Sequence, residues 1–216
     1  MGAGAAMLGR IITSDACVAE GAVFLAGIEP RFATALTQTG ALPLRLKNDG
    51  FEALLSAIVS QQISVAAAAS IWQRLEAAQL ICVADVRVAS EEDLRAAGLS
   101  RPKVRYAKAL ADSGLDYAAL RGMATQDVIA QLIEVKGIGR WTAEIYTMFS
   151  LGRADVFAAG DLALQEAVRI LFELDARPTE KALNVMAENW APWRAVAARL
   201  LFAYYRVMKD REGIRR

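Results

Sequence analysis

The sequence predicts an all-α protein, and three observations carry that prediction. Apolar residues recur at the helical spacing i, i+3, i+4, i+7 through nearly every patterned segment. The one strand-like run, Leu80-Ile81-Cys82-Val83, is too short to found a sheet. Glycines follow several of the periodic runs, where a helix stop is needed.

Taken in order, Phe51, Leu54, Leu55, Ile58 and Val59 fall on one face of a helix. Residues 93–97 before Gly98, and residues 125–133 before the Gly137 and Gly139 pair, read as short helices with glycine stops. Gln131, Leu132, Ile133 and Val135 close the second of these, and Gly137 and Gly139 then let the chain turn tightly. Arg140 and Trp141 begin a new helix whose apolar surface comes from Ala143, Ile145, Tyr146, Met148 and Phe149. Trp193, Val196, Ala197, Leu200, Leu201, Tyr204 and Met208 extend the same periodicity across four turns at the C-terminal end. Neither an internal repeat nor a low-complexity linker interrupts the pattern.

Composition narrows the chemistry. With 216 residues, 55% of them hydrophobic, the chain can bury a sizeable core. No apolar run reaches the roughly 18 residues of a membrane span, and residues 1–10 lack the pattern of a secretory signal, so a cytoplasmic location is expected. Histidine is missing, and only Cys17 and Cys82 carry thiols. That argues against zinc sites and against acid/base or nucleophile sets built on histidine. Both cysteines lie among apolar neighbours and read as buried small hydrophobes. The balance of 25 basic and 24 acidic residues names no partner. Its distribution is more telling: Arg95, Arg101, Lys103, Arg105 and Lys108, with Tyr106 among them, fall in a stretch without acids from Leu94 to Ala111. Such a stretch is either a solvated face or a set of phosphate contacts.

The glycine hairpin has a chemistry of its own. Backbone N–H groups without covering side chains, at the positive end of a helix, form an anion site suited to a phosphate. Contacts of that kind hold a nucleic-acid backbone without reading its sequence. Asp161 follows Gly160 and precedes the apolar-periodic LALQEAVRILF. It is placed to cap the next helix, and equally to act as a lone carboxylate in a site.

The segment Val135-Lys136-Gly137-Ile138-Gly139-Arg140-Trp141-Thr142-Ala143, with Asp161 beyond it, resembles the helix-hairpin-helix (Gly/Pro-Asp) DNA glycosylases. The resemblance is greatest to the alkylation-repair branch of 3-methyladenine DNA glycosylase II, in a compact form. It extends to Ala57-Ile58-Val59-Ser60-Gln61-Gln62-Ile63-Ser64, similar to that branch's strand-inserting segment, to Leu99–Ala109 as its basic connector, and to Trp190-Ala191-Pro192-Trp193-Arg194 as the start of its last long helix.

The resemblance implies two helical lobes with a cleft between them. One lobe is residues 51–153 with the hairpin, and the other is residues 1–50 plus 154–216 with the catalytic acid. It implies a monofunctional glycosylase of base excision repair, acting on double-stranded DNA that contains alkylated bases, as a nucleoid-associated monomer. Asp161 would be catalytic, Trp141 and Phe202 would line the base pocket, and Gln62, Gly137, Gly139 and Arg140 would meet DNA. The bond between base and sugar would be reached by swinging the nucleotide out of the stack. Lyase-competent relatives carry a lysine where this chain has Trp141, so no lyase activity is expected. Main-chain carbonyls of Ile133, Val135 and Ile138 would hold a structural Na+ or K+, and no cofactor would be needed for catalysis. Some relatives hold an iron–sulfur cluster on four thiolates, which two cysteines cannot supply. Two departures stand out: Gln62 where some relatives have leucine, and Ala158-Ala159-Gly160 without the usual proline, expected to loosen the approach to Asp161. The competing reading is a non-catalytic helix-hairpin-helix module that binds DNA or recognises damage, which would have no use for Asp161 beside a base pocket.

Overall fold

A computed structural model describes residues 9–211. Its chain runs through α1 (Asp15–Ile28), α2 (Pro30–Thr39), α3 (Phe51–Ser60), α4 (Val65–Ala77), α5 (Val83–Val88), α6 (Glu91–Ala96) and α7 (Arg101–Asp112). It continues through α8 (Tyr117–Gly122), α9 (Thr125–Ile133), α10 (Arg140–Phe149), α11 (Leu162–Leu171), α12 (Glu180–Glu188) and α13 (Arg194–Arg211). Among the described residues, β pairing is confined to one isolated bridge, Ile11 with Arg153. The all-α expectation therefore holds.

Side-chain caps set most helix starts. Ser14, Ser64, Asp116, Asp161 and Thr179 each accept amide hydrogen bonds from the first turn they precede. Ser90 and Asp93 form a reciprocal capping box, which starts α6 at Glu91, before the expected residue 93. Three helices end in the same left-handed stop. At α4, Gln79 (φ 58°) bonds back to Glu76 and Leu80 to Leu75; Gly98 with Leu99 repeats this after α6, and Glu173 with Leu174 after α11.

That stop corrects the one strand suggested by sequence. Leu80 donates its amide to the Leu75 carbonyl at 2.8 Å, and Cys82 is the N-cap of α5. The apolar residues of Leu80-Ile81-Cys82-Val83 serve a turn between helices, with Leu80 buried beneath it. Most of Leu99–Ala109, the basic connector of the resemblance, is helix α7. The last helix begins at Arg194 and not at Trp190. Pro192 has no N–H to give to a ladder, and the carbonyl of Trp193 takes the first amides, those of Val196 and Ala197. Neither cysteine is a buried hydrophobe: Cys17 is half-exposed in the first turn of α1, and Cys82 is exposed with its thiol on Asp85. The Ser14 hydroxyl, aided by Thr13, pulls the Cys17 thiol down to about 6.

The chain divides into two compact units: Met1–Leu46 with Thr147–Arg216, and Lys47–Tyr146. Both cuts fall earlier than residues 51 and 153, and the second lies inside α10, a place that no break in apolar periodicity marks. In the first unit, α13 packs on α11, α2 and α1, and Phe32, Phe157, Phe172 and Trp190 meet ring to ring at 5.2–6.2 Å. Such edge and tilted contacts suit aromatic quadrupoles. In the second unit, Leu54, Leu55 and Ile58 of α3 are fully buried, and α3 packs on α7, whose Val104, Ala107 and Leu110 are buried. Among the described residues, no helix is long and apolar enough to cross a membrane.

Candidate functional site

The hairpin between α9 and α10 is built from main-chain bonds. Val135 donates to Leu132 at 3.1 Å and Ile138 to Val135 at 3.0 Å, which folds the chain back within four residues. Gly137 has φ 98°, and a β-carbon there would lie 2.3 Å from Cγ of Tyr106, so both conformation and space require glycine. Gly139 is different. Its φ lies outside the left-handed region and a β-carbon would meet nothing within 4 Å. Its carbonyl accepts the Ala143 amide at 3.0 Å, which makes it the N-cap of α10 and leaves its own N–H outside the helical ladder. The turn thus depends on Gly137, whereas Gly139 keeps the helix end bare.

The residues around the hairpin are only partly those that the sequence singled out. Gln61 Nε2 donates to the Gly137 carbonyl at 3.0 Å, tying the end of α3 to the turn. Gln62 is exposed beside it with φ 58°, a left-handed conformation uncommon outside glycine. Arg140 is exposed and pairs with buried Glu144 one turn on, at 3.2 Å. The Trp141 side is open enough to leave that residue 44% exposed. Gln61 and Tyr106 escaped sequence reasoning; the Gln61-Gln62 doublet and the tyrosine amid basic residues were their faint signals.

The basic stretch splits in two. Arg95, Arg101 and Arg105 are exposed. Lys103 is buried, donating to the Val59 carbonyl at 2.7 Å, and burial pushes its ammonium below the usual lysine range. Lys108 reaches the carbonyls of Arg87 and Ala89. The phosphate-contact reading is therefore untenable for Lys103, whose periodic position puts it on the packed face of α7. Of the three carbonyls considered for a monovalent cation, that of Val135 already accepts the Ile138 amide. A carbonyl has a second lone pair, and neutral oxygens suit such an ion, so these residues fit it.

Asp161 caps α11. Its Oδ1 accepts from Ala163 N at 2.8 Å and Leu164 N at 3.2 Å. The preceding loop is packed although it lacks proline: Ala158 and Ala159 are buried, and Gln165 Nε2 donates to the Ala159 carbonyl at 2.8 Å. A turn bond from Asp161 N to Ala158 O, at 2.9 Å, completes the loop. The neighbouring acid Asp155 is engaged differently, by Arg194 at 2.6 and 3.0 Å. An acid so paired is a structural tether.

Phe202 is half-buried on α13, 6.5 Å from the Phe149 ring. The Arg45 guanidinium lies 5.8 Å from its centroid, and Arg199 lies 4.8 Å from that of Phe149. Arg199 is fully buried, donates to the Leu44 and Ala195 carbonyls at 3.0 and 2.9 Å, and leaves Nη2 without a partner. Burial, reinforced by repulsion from Arg45, brings Arg199 down to about 10; burial and then Arg206 lower Arg45. The Phe202 ring, which sequence suggested for a cationic base, thus already has the Arg45 guanidinium over it. A second unit charge about 5 Å from Arg45 would cost about 3 kcal/mol at an effective dielectric of about 20. A cation–π contact returns only about 0.5–2 kcal/mol.

Comparison with known proteins agrees with this arrangement. Residues 55–195 match the family model described as HhH-GPD superfamily base excision DNA repair protein. DNA-3-methyladenine glycosylase 1 of Schizosaccharomyces pombe is 34% identical over 161 residues, 70% of this chain and 71% of that protein. YfjP of Bacillus subtilis is 28% identical over 74% of this chain, which spans 60% of its length. A solved structure of the S. pombe 3-methyladenine DNA glycosylase Mag1 with abasic DNA superposes with TM-score 0.72 and 28% identity, covering 85% of this chain and 95% of that one. A hairpin with a bare helix end, a helix-capping aspartate and a match through about two thirds of the sequence converge: the chain belongs to the HhH-GPD superfamily of base excision DNA repair proteins.

Proposed function

We propose that this protein is a monofunctional DNA glycosylase that removes alkylated bases, of the 3-methyladenine and 7-methylguanine type, by hydrolysing the N-glycosidic bond. The observation that carries the reading is Asp161, a carboxylate fixed by the Ala163 and Leu164 amides in a buried loop, in a chain with the family's hairpin. The 3-methyladenine names of the relatives support the substrate class.

The chemistry follows from the bond to be broken. A stacked duplex hides it, so the nucleotide must be turned out. As the base departs with the bonding electrons, positive charge grows on the sugar. Asp161 stabilises that charge and orients the attacking water. Gly139 and the α10 N-terminus hold a backbone phosphate, with Arg140 and Gln62 beside the strand. Trp141 stands where a lyase has lysine, so no amine attacks the sugar. The carbonyls of Ile133, Val135 and Ile138 would hold a Na+ or K+, which neutralises them and favours a phosphate nearby. We place the protein with the chromosome in the cytoplasm, acting as a monomer on duplex DNA.

Incubation with methylated duplex, followed by mass spectrometry of released bases, tests the reading. Free methylated purines should appear, abasic sites should remain intact, and borohydride should trap no protein on DNA. Binding without release would favour a non-catalytic damage-recognition module, and a trapped adduct would overturn the monofunctional assignment.

A further inference from the structure

The turn between α3 and α4 is pinned on both sides of an exposed tip. Before it, buried Lys103 donates to the Val59 carbonyl at 2.7 Å, and after it Ser64 caps α4 by accepting the Ala67 amide at 3.2 Å. Between these anchors Gln61 Nε2 reaches sideways to the Gly137 carbonyl at 3.0 Å. Gln62, next along, is exposed and left-handed at φ 58°. Residues with a β-carbon adopt that conformation at a cost, and it persists only when the surroundings impose it. The Gln61 bond also closes a ring of contacts inside the second unit. Lys103 and Tyr106 lie one turn apart on α7; the first holds the end of α3, and the second lies against Gly137. One helix thus supports both the turn and the hairpin, and Gln61 ties the two directly to each other.

Resting on the proposed DNA-binding and glycosylase roles, with Gln62 as the strand-inserting residue, we propose that Gln61 is a positioning residue that couples insertion to the phosphate contact. A phosphate held at the hairpin fixes, through Gly137 and Gln61, where the Gln62 side chain meets the stack. Gln61 acts without touching DNA. Insertion fills the space that a turned-out nucleotide vacates, so a side chain delivered out of place lets the base pair close again. Without the Gln61 bond the hairpin amides still hold phosphate, but they no longer set the place of Gln62. The loss therefore falls on lesions that must be drawn out of a base pair, and spares lesions that are already unpaired.

The test uses Gln61→Met, which keeps the length and neutrality of the side chain and removes its donor. Single-turnover release of 7-methylguanine should fall about tenfold when the lesion is paired with cytosine, and stay within about twofold of wild type when it lies in a single-nucleotide bulge. Affinity for undamaged duplex should stay within about threefold, because the hairpin amides are intact. Gln62→Gly suits the left-handed backbone and removes the inserting side chain. In that background Gln61→Met should lower release by less than about a further twofold, since nothing remains to be positioned. Fluorescence of a 2-aminopurine beside the lesion reports opening of the stack without base release, and opening should be about tenfold slower in Gln61→Met. Equal slowing on paired and bulged lesions, or full additivity with Gln62→Gly, would overturn the coupling alone. A wild type that opens the stack but releases no base, with opening slowed in Gln61→Met, would support the coupling and overturn the glycosylase reading. A wild type that does neither would overturn both.

Discussion

The Tyr106 ring lies against Gly137 so closely that no β-carbon fits between the tyrosine and the hairpin backbone. A residue of α7, far away in sequence, thus supports the turn that presents α10. The two hairpin glycines consequently have separable roles.

Gly137→Ala should cost about 2–4 kcal/mol of stability, from the left-handed backbone and from overpacking against Tyr106. Gly139→Val should leave the melting temperature within a few degrees, because nothing surrounds its β-carbon. It should weaken binding to damaged and undamaged duplex alike, since the covered amide is the proposed phosphate donor. Trp141→Ala should chiefly reduce excision. Thermal melting beside equilibrium binding separates these outcomes; a Gly139→Val protein that binds undamaged DNA normally would move the phosphate site elsewhere.

Asp161 combines a cap and a proposed catalytic charge, and two substitutions take them apart. Asparagine caps as well as aspartate, so Asp161→Asn should keep stability while lowering base release at least about a hundredfold, roughly 2.7 kcal/mol of barrier. Asp161→Ala should lose the same activity and about 1 kcal/mol of stability as well. Single-turnover release within tenfold of wild type in a folded Asp161→Asn protein would remove the catalytic role.

Lys103 supplies a pH signature. Burial lowers its pKa in the folded state from 10.5, so between the lowered value and 10.5 the unfolded chain binds more protons. Wild-type stability should gain a rising contribution across that window. Lys103→Met loses the bond to the Val59 carbonyl, about 1–3 kcal/mol, and loses the rise. Its deficit relative to wild type in urea titrations should therefore widen as pH climbs toward 10.5; a constant deficit would mean that Lys103 does not titrate on unfolding.

Much of the fold was legible because its signals are local. The stripe from Phe51 to Val59, the run from Thr125 to Ile133 and the glycine at residue 137 each declare themselves within a few residues. The cap role of Asp161 was equally plain from Gly160 and the apolar run after it. What stayed hidden joins distant parts of the chain. The Gln61 bond to Gly137 spans 76 positions, and the Arg199 bond to Leu44 spans 155. A tyrosine or arginine that fills a gap in such places has no periodic signature, and Lys103 looked like a surface charge because its type outweighed its position on the stripe.

The pairing of Ile11 with Arg153 has a temporal meaning. Ile12 and Arg10 bond to Gly152 and Ala154, Ala154 accepts the Ala195 amide, and Arg199 anchors Leu44. The first unit is therefore assembled from segments that leave the ribosome far apart in time, and its long-range contacts must await α13. Residues 47–146 are contiguous and can fold during synthesis. The hairpin would then form on the nascent chain before Asp161 has been translated, so that the proposed phosphate-holding element matures ahead of the proposed catalytic acid.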